Sequence, residues 1–376
     1  MRLALVADHI LTRAGSERVF QYLCEEFPEA DVFTSVYALD KTWDYFRQRP
    51  IRATSLNFVV RTHKAFQYAF PVATHLMEEI DFRGYDAVFS LSATIAKYVR
   101  APRGRHICYC LVPTRALWNA EEYFRSGIKK RVVKAMLGHL RRRDYAAAQR
   151  VDRFLCISEH SRRLIEKHYD QRAKVIHSPI DLDRFRASAA KQDHYLLVSR
   201  LECWKKLEYA LEAFNRTGLP LRVIGTGIDE AHLKSLAGQN IEFLGSVPDE
   251  VLVEEYSHAA AVIFTPELEY GLIPLEASAS GTPVICYGRG GVTETMIPWN
   301  RETAASGTAT AIFFDGQTPE ALIEAVRRFE RCRAGFHPEA LRRHAEGWGI
   351  PEFKRRIREE LERFLNGGPA GPPQMS

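Results

Sequence analysis

The sequence predicts an α/β protein with two Rossmann-like, doubly wound domains that face a cleft. Short apolar runs typical of buried strands alternate with stretches of helical periodicity, a pattern that favours parallel sheets. The alternation starts near residue 3, breaks at a linker around 180–193, and then starts again. The 376 residues suffice for two domains of about 180 residues, each with its own core. We therefore predict one domain at 1–185 and another at 186–350.

The first domain opens with a buried strand at 3–7. A helix follows in SERVFQYLCEEF, whose apolar residues recur at helical spacing. Further strands are expected at 31–35, 87–91, 105–110, 155–158 and 174–177. The stretch 128–143 is different, because basic residues alternate with apolar ones, and it predicts a basic amphipathic helix.

The second domain repeats the alternation, and each of its strands ends in polar or glycine-rich residues. The expected strands are HYLLVSR, LRVIGTG, IEFLGSV and the apolar runs at 261–265 and 284–287. Strand exits line the ligand crevice of a doubly wound sheet. We therefore expect Arg200, Gly225, Val247 and Gly271 to converge on one crevice.

The end of the chain is predicted to be helical and then flexible. Thr318 followed by Pro319 is typical of a helix start. A last helix is expected at 351–366, and the Gly- and Pro-rich residues 367–376 are typical of a flexible tail.

Composition argues against several classes of protein. The net charge of +5 is modest for this length, so nucleic acid is not an expected partner. The seven cysteines are scattered, and Cys108 and Cys110 share one apolar run, which favours reduced core thiols over a metal site. Since no apolar run approaches the roughly 18 residues of a membrane span and no signal peptide is evident, a cytoplasmic protein is expected.

The stretch 264–294, FTPELEYGLIPLEASASGTPVICYGRGGVTE, predicts an anion site. A strand is followed by a turn and a helix of small residues, so the first amides of that helix, at Gly271, Leu272 and Ile273, point at one spot. Such a spot suits phosphate. Glu276 comes next on the helix, where its carboxylate can accept hydrogen bonds from a ribose diol.

Two cations in SRLECWKK extend this anion site. Arg200 stands beside Ser199 at a strand exit and Lys205 follows five residues later, so both can bracket the diphosphate. Charge-assisted hydrogen bonds of this kind would stabilise a departing nucleotide most strongly. Considered alone, such a pair is more often a solvated surface pair. Its combination with the 264–294 stretch favours the anion site.

These motifs resemble those of a known family. SRLECWKKLEYALEAF, PELEYGLIPLEASASGTPVICYGRGGVTET and TAIFFDGQTPEALIEAV resemble the retaining glycosyltransferases of family 4, with GT-B fold, and especially bacterial mannosyltransferases of O-antigen and exopolysaccharide synthesis. AGSERV, HICYCLVPTRALWN and AAAQRVDRFLCISEHSRRLIEKHY follow the family's order in the first half. The resemblance implies a nucleotide sugar in the cleft, retained anomeric configuration, no metal and no cofactor. It also implies that the helix at 351–366 crosses back to the first domain.

By matched position, the resemblance assigns roles to individual residues on the donor side. Arg200 and Lys205 would hold the diphosphate and act in catalysis, while Glu276 would bind the ribose. Backbone near Val247 would meet the base. Gly15 would lie near the phosphates from the first domain.

The acceptor side has weaker candidates. Asp8 and His9 follow the first strand and are expected to line it. Arg115 could meet an acceptor phosphate, although a structural salt bridge explains an arginine there equally well.

Two positions depart from the family's pattern. Relatives carry a glutamate eight residues before the ribose glutamate, where this chain has Leu268 flanked by Glu267 and Glu269. We expect Glu269 to take the catalytic position through a one-residue shift of the loop; the alternative is that both are rim carboxylates. Close relatives read YCHTPxR where this chain reads YCLVPTR, so Leu111 replaces a histidine and cannot hydrogen-bond a sugar.

The resemblance implies hexosyl transfer from GDP-mannose to a glycan or polyprenyl-linked acceptor in bacterial surface polysaccharide synthesis, including lipopolysaccharide. A UDP-sugar donor stays open, because no side chain is assigned to read the base. A nucleotide-sugar-binding protein with weak or no catalysis also stays open, because of the two departures. The basic stretch 128–143 favours peripheral docking on an anionic membrane surface, where lipid-linked acceptors reside, over a solvated face.

Overall fold

The structure is a computed structural model that describes residues 1–119 and 128–367, without the side chains of 128–136. The predicted flexible tail is 367–376, and its residues from 368 onward lie outside the described residues. The chain divides into two compact units, Met1–Ser178 with Phe353–Ser376, and Pro179–Glu352.

The first unit contains a fully parallel sheet. Its strands within the described residues are β1 (Leu3–Ala7), β2 (Asp31–Thr34), β3 (Ile51–Ala53), β4 (Ala87–Ser92), β5 (His106–Cys110), β6 (Arg153–Cys156) and β7 (Ala173–Val175). Their order in the sheet is β3-β2-β1-β4-β5-β6-β7. Every predicted strand is present, with ends shifted by up to two residues. The short β3 was not predicted, because three residues carry too little apolar pattern.

Helices pack on this sheet and complete the core of the first unit. They are α1 (Gly15–Glu26), α2 (His63–Tyr68), α3 (Phe70–Glu78), α4 (Arg115–Trp118), α5 (Ile128–Ala148) and α6 (Glu159–Tyr169), with 3-10 turns at Asp44–Gln48, Ser55–Phe58 and Ala96–Tyr98. One cluster of buried apolar side chains includes Val6, Phe33 and Val88, and a second includes Cys108, Cys110 and Cys156. The helix predicted from the basic stretch is therefore present as α5, although much of that stretch has no described side chains.

The second unit repeats the architecture. Its strands are β8 (Tyr195–Val198), β9 (Leu221–Ile224), β10 (Ile241–Gly245), β11 (Val262–Phe264), β12 (Val284–Tyr287) and β13 (Ala311–Phe314). They form a parallel sheet in the order β10-β9-β8-β11-β12-β13. Its helices are α7 (Glu208–Thr217), α8 (Glu230–Leu236), α9 (Asp249–His258), α10 (Leu272–Ala279), α11 (Val292–Thr295), α12 (Arg301–Ser306), α13 (Pro319–Cys332) and α14 (Pro338–Glu346).

The predicted start of α13 is confirmed. The Thr318 hydroxyl accepts a hydrogen bond from the Ala321 amide at 3.3 Å, and Pro319 occupies the first helical turn. Leu322, Ile323, Ala325, Val326 and Phe329 are buried on one side of this helix. The cap and the buried stripe together define the helix, as the sequence predicts.

The last helix, α15 (Ile350–Asn366), belongs to the first unit from Phe353 onward. Its Glu360 is nearly buried and accepts hydrogen bonds from Arg153 at 2.9 Å and Lys174 at 2.5 Å. The Phe353 ring lies 5.9 Å from the ring of Tyr109 on β5. The return of this helix to the first unit is thus confirmed.

The fold class is also confirmed, because both sheets have the strand order of a doubly wound fold. The order reverses between β1 and β4 in the first unit and between β8 and β11 in the second. Ligands of such sheets bind outside the carboxyl ends of the strands at the reversal. No helix in the described ranges is long and apolar enough to cross a membrane.

Candidate functional site

A small hollow lies at the reversal point of the second sheet. The carboxyl ends of β8 and β11 form its walls, together with Lys205 and Leu207 from the segment after β8 and Ile273 from the first turn of α10. Ser199 is part of the same wall. Since the hollow lies where a doubly wound sheet binds its ligand, it is the candidate site of this unit.

Lys205 provides the cation of the hollow. The residue is only 9% exposed, and its Nζ lies 4.2 Å from the centre of the Trp204 ring. Its carbonyl oxygen accepts a hydrogen bond from Thr265 Oγ1 at 2.9 Å, which ties the turn to the end of β11. Lys206 then adopts a left-handed φ of 55°, which costs a non-glycine residue about 1–2 kcal/mol. The chain therefore has a strained residue directly after Lys205, which lines the hollow.

Arg200 stands outside the wall of the hollow. Its side chain is 61% exposed and its guanidinium lies 3.6 Å from the Glu202 carboxylate. The guanidinium carbon is 5.9 Å from the same Trp204 ring that Lys205 approaches. The two predicted diphosphate-binding cations therefore share one aromatic neighbour, but they differ strongly in burial.

Gly225 packs tightly beside Ser199. Its φ is +133°, and a Cβ there would lie 1.8 Å from the Ser199 carbonyl oxygen. Its amide donates to the Gly245 carbonyl at 2.8 Å, so the exits of β8, β9 and β10 are joined. This close approach explains the glycine, whereas a contact of Gly225 with the donor stays a prediction. Val247, two residues beyond Gly245, packs on the core of this unit, and its predicted contact with the base also stays a prediction.

Helix α10 begins at the hollow without a side-chain cap. Gly271 is its N-cap, and a Cβ there would lie 3.1 Å from the Phe264 ring, so the turn packs closely on the end of β11. Leu272 and Ile273 open the helix, and the first amides of a helix have no partner within it. Because Ile273 lines the hollow, this helix terminus faces the site to which the sequence assigns a phosphate.

Glu276 is held by a buried tyrosine of helix α9. The Tyr256 hydroxyl donates to Glu276 Oε2 at 2.9 Å. Burial, and secondarily the charge of Glu276, raises the pKa of Tyr256 well above its ordinary value. The phenol therefore stays neutral and acts as a donor. This bond fixes one carboxylate oxygen of the glutamate that the sequence assigns to the ribose.

The loop before α10 explains the leucine at 268. Leu268 packs on the core, and its carbonyl oxygen accepts a hydrogen bond from the Gly291 amide at 2.8 Å. A Cβ on Gly290 would lie 2.3 Å from the same oxygen, so the two loops lie in close contact. Glu269 is buried, whereas Glu267 is exposed. Burial thus favours Glu269 as the carboxylate of this loop, but its catalytic role stays a prediction.

The carboxylate of Asp8 in the first unit is hydrogen-bonded to the protein backbone, whereas the sequence predicts that it lines the acceptor side. Its carboxylate accepts hydrogen bonds from four successive backbone amides, those of 93–96, at 2.6–2.8 Å, and from the Ser92 hydroxyl at 3.3 Å. Both oxygens are therefore used to shape the loop after β4 at the reversal of the first sheet. Asp8 holds this loop, and contact with an acceptor stays a prediction.

His9 belongs to a polar group around the start of α1. Its Nδ1 lies 3.5 Å from Glu17 Oε1, at the outer limit of a hydrogen bond, so the contact is mainly electrostatic. Glu17 accepts hydrogen bonds from Thr12 at 2.7 Å and Ser16 at 2.8 Å. Burial alone would raise the pKa of Glu17, but these hydrogen bonds and His9 lower it to about 2. Gly15 begins the same helix, without a side-chain cap before it.

The loop after β5, which carries Leu111 and Arg115, is anchored through its backbone. The Leu111 amide donates to the Ser92 carbonyl at 2.9 Å, and its carbonyl accepts from the Ser161 hydroxyl at 2.9 Å. Arg115 opens α4 and is half-buried. The backbone at 111 is thus fixed, and the side chain decides what this position can bind.

A buried ion pair supports the same loop. Lys97 and Asp144 are both fully buried, with Nζ 2.8 Å from Oδ1. Asp144 also accepts hydrogen bonds from Thr114 at 3.0 Å, Trp118 at 2.8 Å and Tyr169 at 2.7 Å. This network joins α5 and α6 to the loops after β4 and β5.

Sequence reasoning missed several of these residues. Tyr256 reads as an ordinary helix residue, although a tyrosine on a buried face needs a partner for its hydroxyl. Neither Asp144 nor Lys97 was predicted to have a role. Their pairing joins positions far apart in the chain, so local periodicity carries no signal for it.

No group of three or more His, Cys, Asp or Glu residues within the described ranges is placed to hold a metal ion. The protein chemistry at the hollow is instead a cation and a helix terminus, and an oriented carboxylate follows on the same helix. Such a set suits a phosphate and a sugar hydroxyl.

Comparison with protein families assigns both halves of the chain. Residues 13–184 match the family described as Glycosyltransferase Family 4, and residues 180–348 match Glycosyl transferases group 1. A D-inositol 3-phosphate glycosyltransferase of Geodermatophilus obscurus is 29% identical over 232 residues, which cover 52% of this chain and 48% of that protein. The chain matches about a third to a half of the length of such curated relatives, 32% to 48%.

Solved structures share the fold over nearly the whole chain. Sucrose-phosphate synthase from Thermosynechococcus elongatus matches with a TM-score of 0.74 and 14% identity, covering 98% of this chain and 100% of that one. Anabaena HepE in complex with UDP-glucose matches with a TM-score of 0.70 and 15% identity, covering 96% and 100%. At such low identity the likeness concerns the fold alone.

Proposed function

Because the chain belongs to the glycosyltransferases of family 4, which have the GT-B fold, we propose that it is a retaining glycosyltransferase. It would move a hexosyl group from a nucleoside diphosphate sugar to a glycan or lipid-linked acceptor. The observation that carries the proposal is the hollow at the reversal of the second sheet. There Lys205 and the opening of α10 share one wall, and Glu276 follows on the same helix.

In the proposed reaction, the bond between the anomeric carbon and the phosphate oxygen breaks, and negative charge builds on the departing diphosphate. Lys205 and the first amides of α10 stabilise that charge, and Arg200 joins them from the rim. The acceptor oxygen forms the new bond on the same face of the sugar. Its proton passes to the departing phosphate, so the step balances without a separate base. Glu276 holds the ribose and fixes the donor's position.

GDP-mannose is the first candidate donor, because the motifs resemble those of bacterial surface polysaccharide mannosyltransferases. A UDP-sugar is the second candidate, favoured by the likeness to the Anabaena protein solved with UDP-glucose. The acceptor would be a growing glycan or a polyprenyl-linked sugar at the cytoplasmic face of the membrane. The reaction would need no metal, since Lys205, Arg200 and the helix terminus supply the positive charge.

The test is release of GDP or UDP from a panel of nucleotide sugars, with and without lipid-linked acceptor. We expect one donor to be turned over, with turnover unchanged by EDTA. The Lys205→Met variant should lose most of this turnover. Its matched control is Lys234→Met, a half-exposed lysine of α8 outside the hollow's wall, paired with Glu230 at 2.7 Å. Donor binding without release under every pairing would instead favour a nucleotide-sugar-binding protein.

Position 111 offers a separate test of donor choice. The Leu111→His variant restores the residue of close relatives at a backbone position that is already fixed. A changed donor profile would show that this position selects the sugar, whereas an identical profile would remove it from the proposal.

A further inference from the structure

Four large apolar side chains are exposed on one short segment of the first unit. Phe58, Val59, Tyr68 and Val72 are 86%, 76%, 64% and 53% exposed. They lie on the 3-10 turn Ser55–Phe58, on the residue after it, on α2 and at the start of α3. The turn and α2 both contact α3, so these side chains lie on neighbouring elements. Exposed apolar patches on a protein surface mark interaction sites.

The same segment already supplies the core with other side chains. Leu56, Val60, Phe66, Ala73 and Met77 are buried in one apolar cluster of the first unit. The four exposed residues alternate with them and present most of their surface to solvent. This exposure makes the segment a candidate interaction surface.

The segment is also unusual in charge. The sequence has no Asp or Glu between residues 45 and 77. Arg61 and Lys64 are exposed within it, and Lys41 reaches the segment by donating to the Arg61 carbonyl at 3.2 Å. Within the described part of the chain, none of these three cations has an ion-pair partner. The apolar side chains are thus accompanied by uncompensated positive charge.

We propose that this segment docks the first unit on an anionic lipid bilayer. We call the docking surface the apolar-basic patch; it consists of Phe58, Val59, Tyr68, Val72, Lys41, Arg61 and Lys64. Aromatic and aliphatic side chains insert at the boundary between headgroups and acyl chains, while cations meet the anionic headgroups. The strength of such binding depends on the buried apolar area together with the attraction to anionic lipids.

A second copy of the chain fits this patch less well. In a twofold dimer the same surface meets itself, so the surface opposite Lys41, Arg61 and Lys64 would carry the same three cations. No acidic residue of the segment is available to pair with them, and like charges across an interface are strongly unfavourable. A bilayer rich in anionic lipid removes this conflict.

The experiment is vesicle flotation of the full chain, with phosphatidylcholine vesicles that contain or lack phosphatidylglycerol. We expect binding to the anionic vesicles. Each cation near such a surface raises the binding constant about fivefold. The double variant Arg61→Gln with Lys64→Gln should therefore bind anionic vesicles about 25-fold more weakly. Phe58→Ser with Val59→Ser should weaken binding roughly tenfold or more, and this loss should persist at high salt.

Matched controls come from the second unit. Ile228→Ser removes an apolar side chain that is 89% exposed. Arg301→Gln with Arg327→Gln removes two exposed charges, so the net charge changes as in the patch variant. These controls should bind vesicles as the parent protein does. Equal losses in patch and control variants would overturn the proposal, because net charge alone would then explain binding.

Other outcomes also overturn the proposal. Loss of binding in a Lys129→Gln, Lys130→Gln, Arg131→Gln variant, with the patch variants unaffected, would move docking to the basic stretch 128–143. A dimer that Phe58→Ser with Val59→Ser disrupts, without vesicle binding by the parent, would identify a second copy as the occupant. The vesicle assay contains no nucleotide sugar, so its result is independent of the proposed transferase activity.

Discussion

The hydrogen bond from Tyr256 to Glu276 provides a measurable link between the buried core and the ribose. Replacing Tyr256 with phenylalanine removes one hydroxyl and leaves the ring in place. A hydrogen bond to a charged group contributes about 1.5–3 kcal/mol. Because Glu276 is half-exposed, water replaces part of that bond and about 1 kcal/mol remains. If this bond orients Glu276 for the ribose, its loss should weaken nucleotide binding by up to this amount, roughly fivefold.

The assay is isothermal titration of UDP and GDP into the parent and variant proteins, alongside denaturant unfolding. The matched control is Tyr195→Phe, since the Tyr195 hydroxyl also donates to a carboxylate, Glu330, in the same unit. Both variants should lose stability, but only Tyr256→Phe should weaken nucleotide binding. The Glu276→Gln variant should weaken it as well.

The positioning role of Tyr256 would be refuted by unchanged nucleotide affinity in Tyr256→Phe. It would also be refuted if Tyr195→Phe weakened binding equally, because a general loss of stability would then explain both results.

Three further predictions concern stability. The pKa of about 2 for Glu17, against 4.5 ordinarily, means that its contribution is complete above pH 5 and is lost as the pH falls towards 2. Between pH 7 and pH 4, the free energy of unfolding of the parent should thus fall by about 1 kcal/mol more than that of Glu17→Gln, as measured by urea unfolding. Asp8→Asn should lower the free energy of unfolding by about 3–6 kcal/mol, since its amide loses two of the four bonds from 93–96 and each bond to a charged group contributes about 1.5–3 kcal/mol. A decrease below about 1 kcal/mol in urea unfolding would contradict the network. Gly225→Ala should lower the free energy of unfolding by at least about 2 kcal/mol. Gly138→Ala, with open space around its Cβ, should instead raise it by about 0.5–1 kcal/mol. Equal thermal midpoints of the two variants would refute this contrast.

Much of the fold follows from the sequence because strand and helix periodicities are local. The apolar runs that became β1, β8, β11 and β12 sit where they were predicted, and Thr318 caps its helix as expected. The three-residue strand β3 lacks enough residues to show a pattern. It forms because its backbone pairs with β2, a long-range contact that no single segment encodes.

The candidate site was predictable only in part. Glycines and cations near strand exits could be identified, because the doubly wound topology brings those exits together. The difference between Arg200, which is exposed, and Lys205, which lines the hollow, depends on packing against the end of β11. The role of Asp8 depends on amides more than 80 residues away in the chain. Neither feature leaves a signature in local composition.

The most direct test of the proposed site is a crystal structure of the protein with GDP or UDP bound. We expect the diphosphate at the mouth of the hollow, within hydrogen-bond distance of Lys205 Nζ and the first amides of α10, with the ribose hydroxyls on Glu276. A nucleotide bound elsewhere, with Lys205 and Glu276 in contact with protein groups alone, would contradict the assignment.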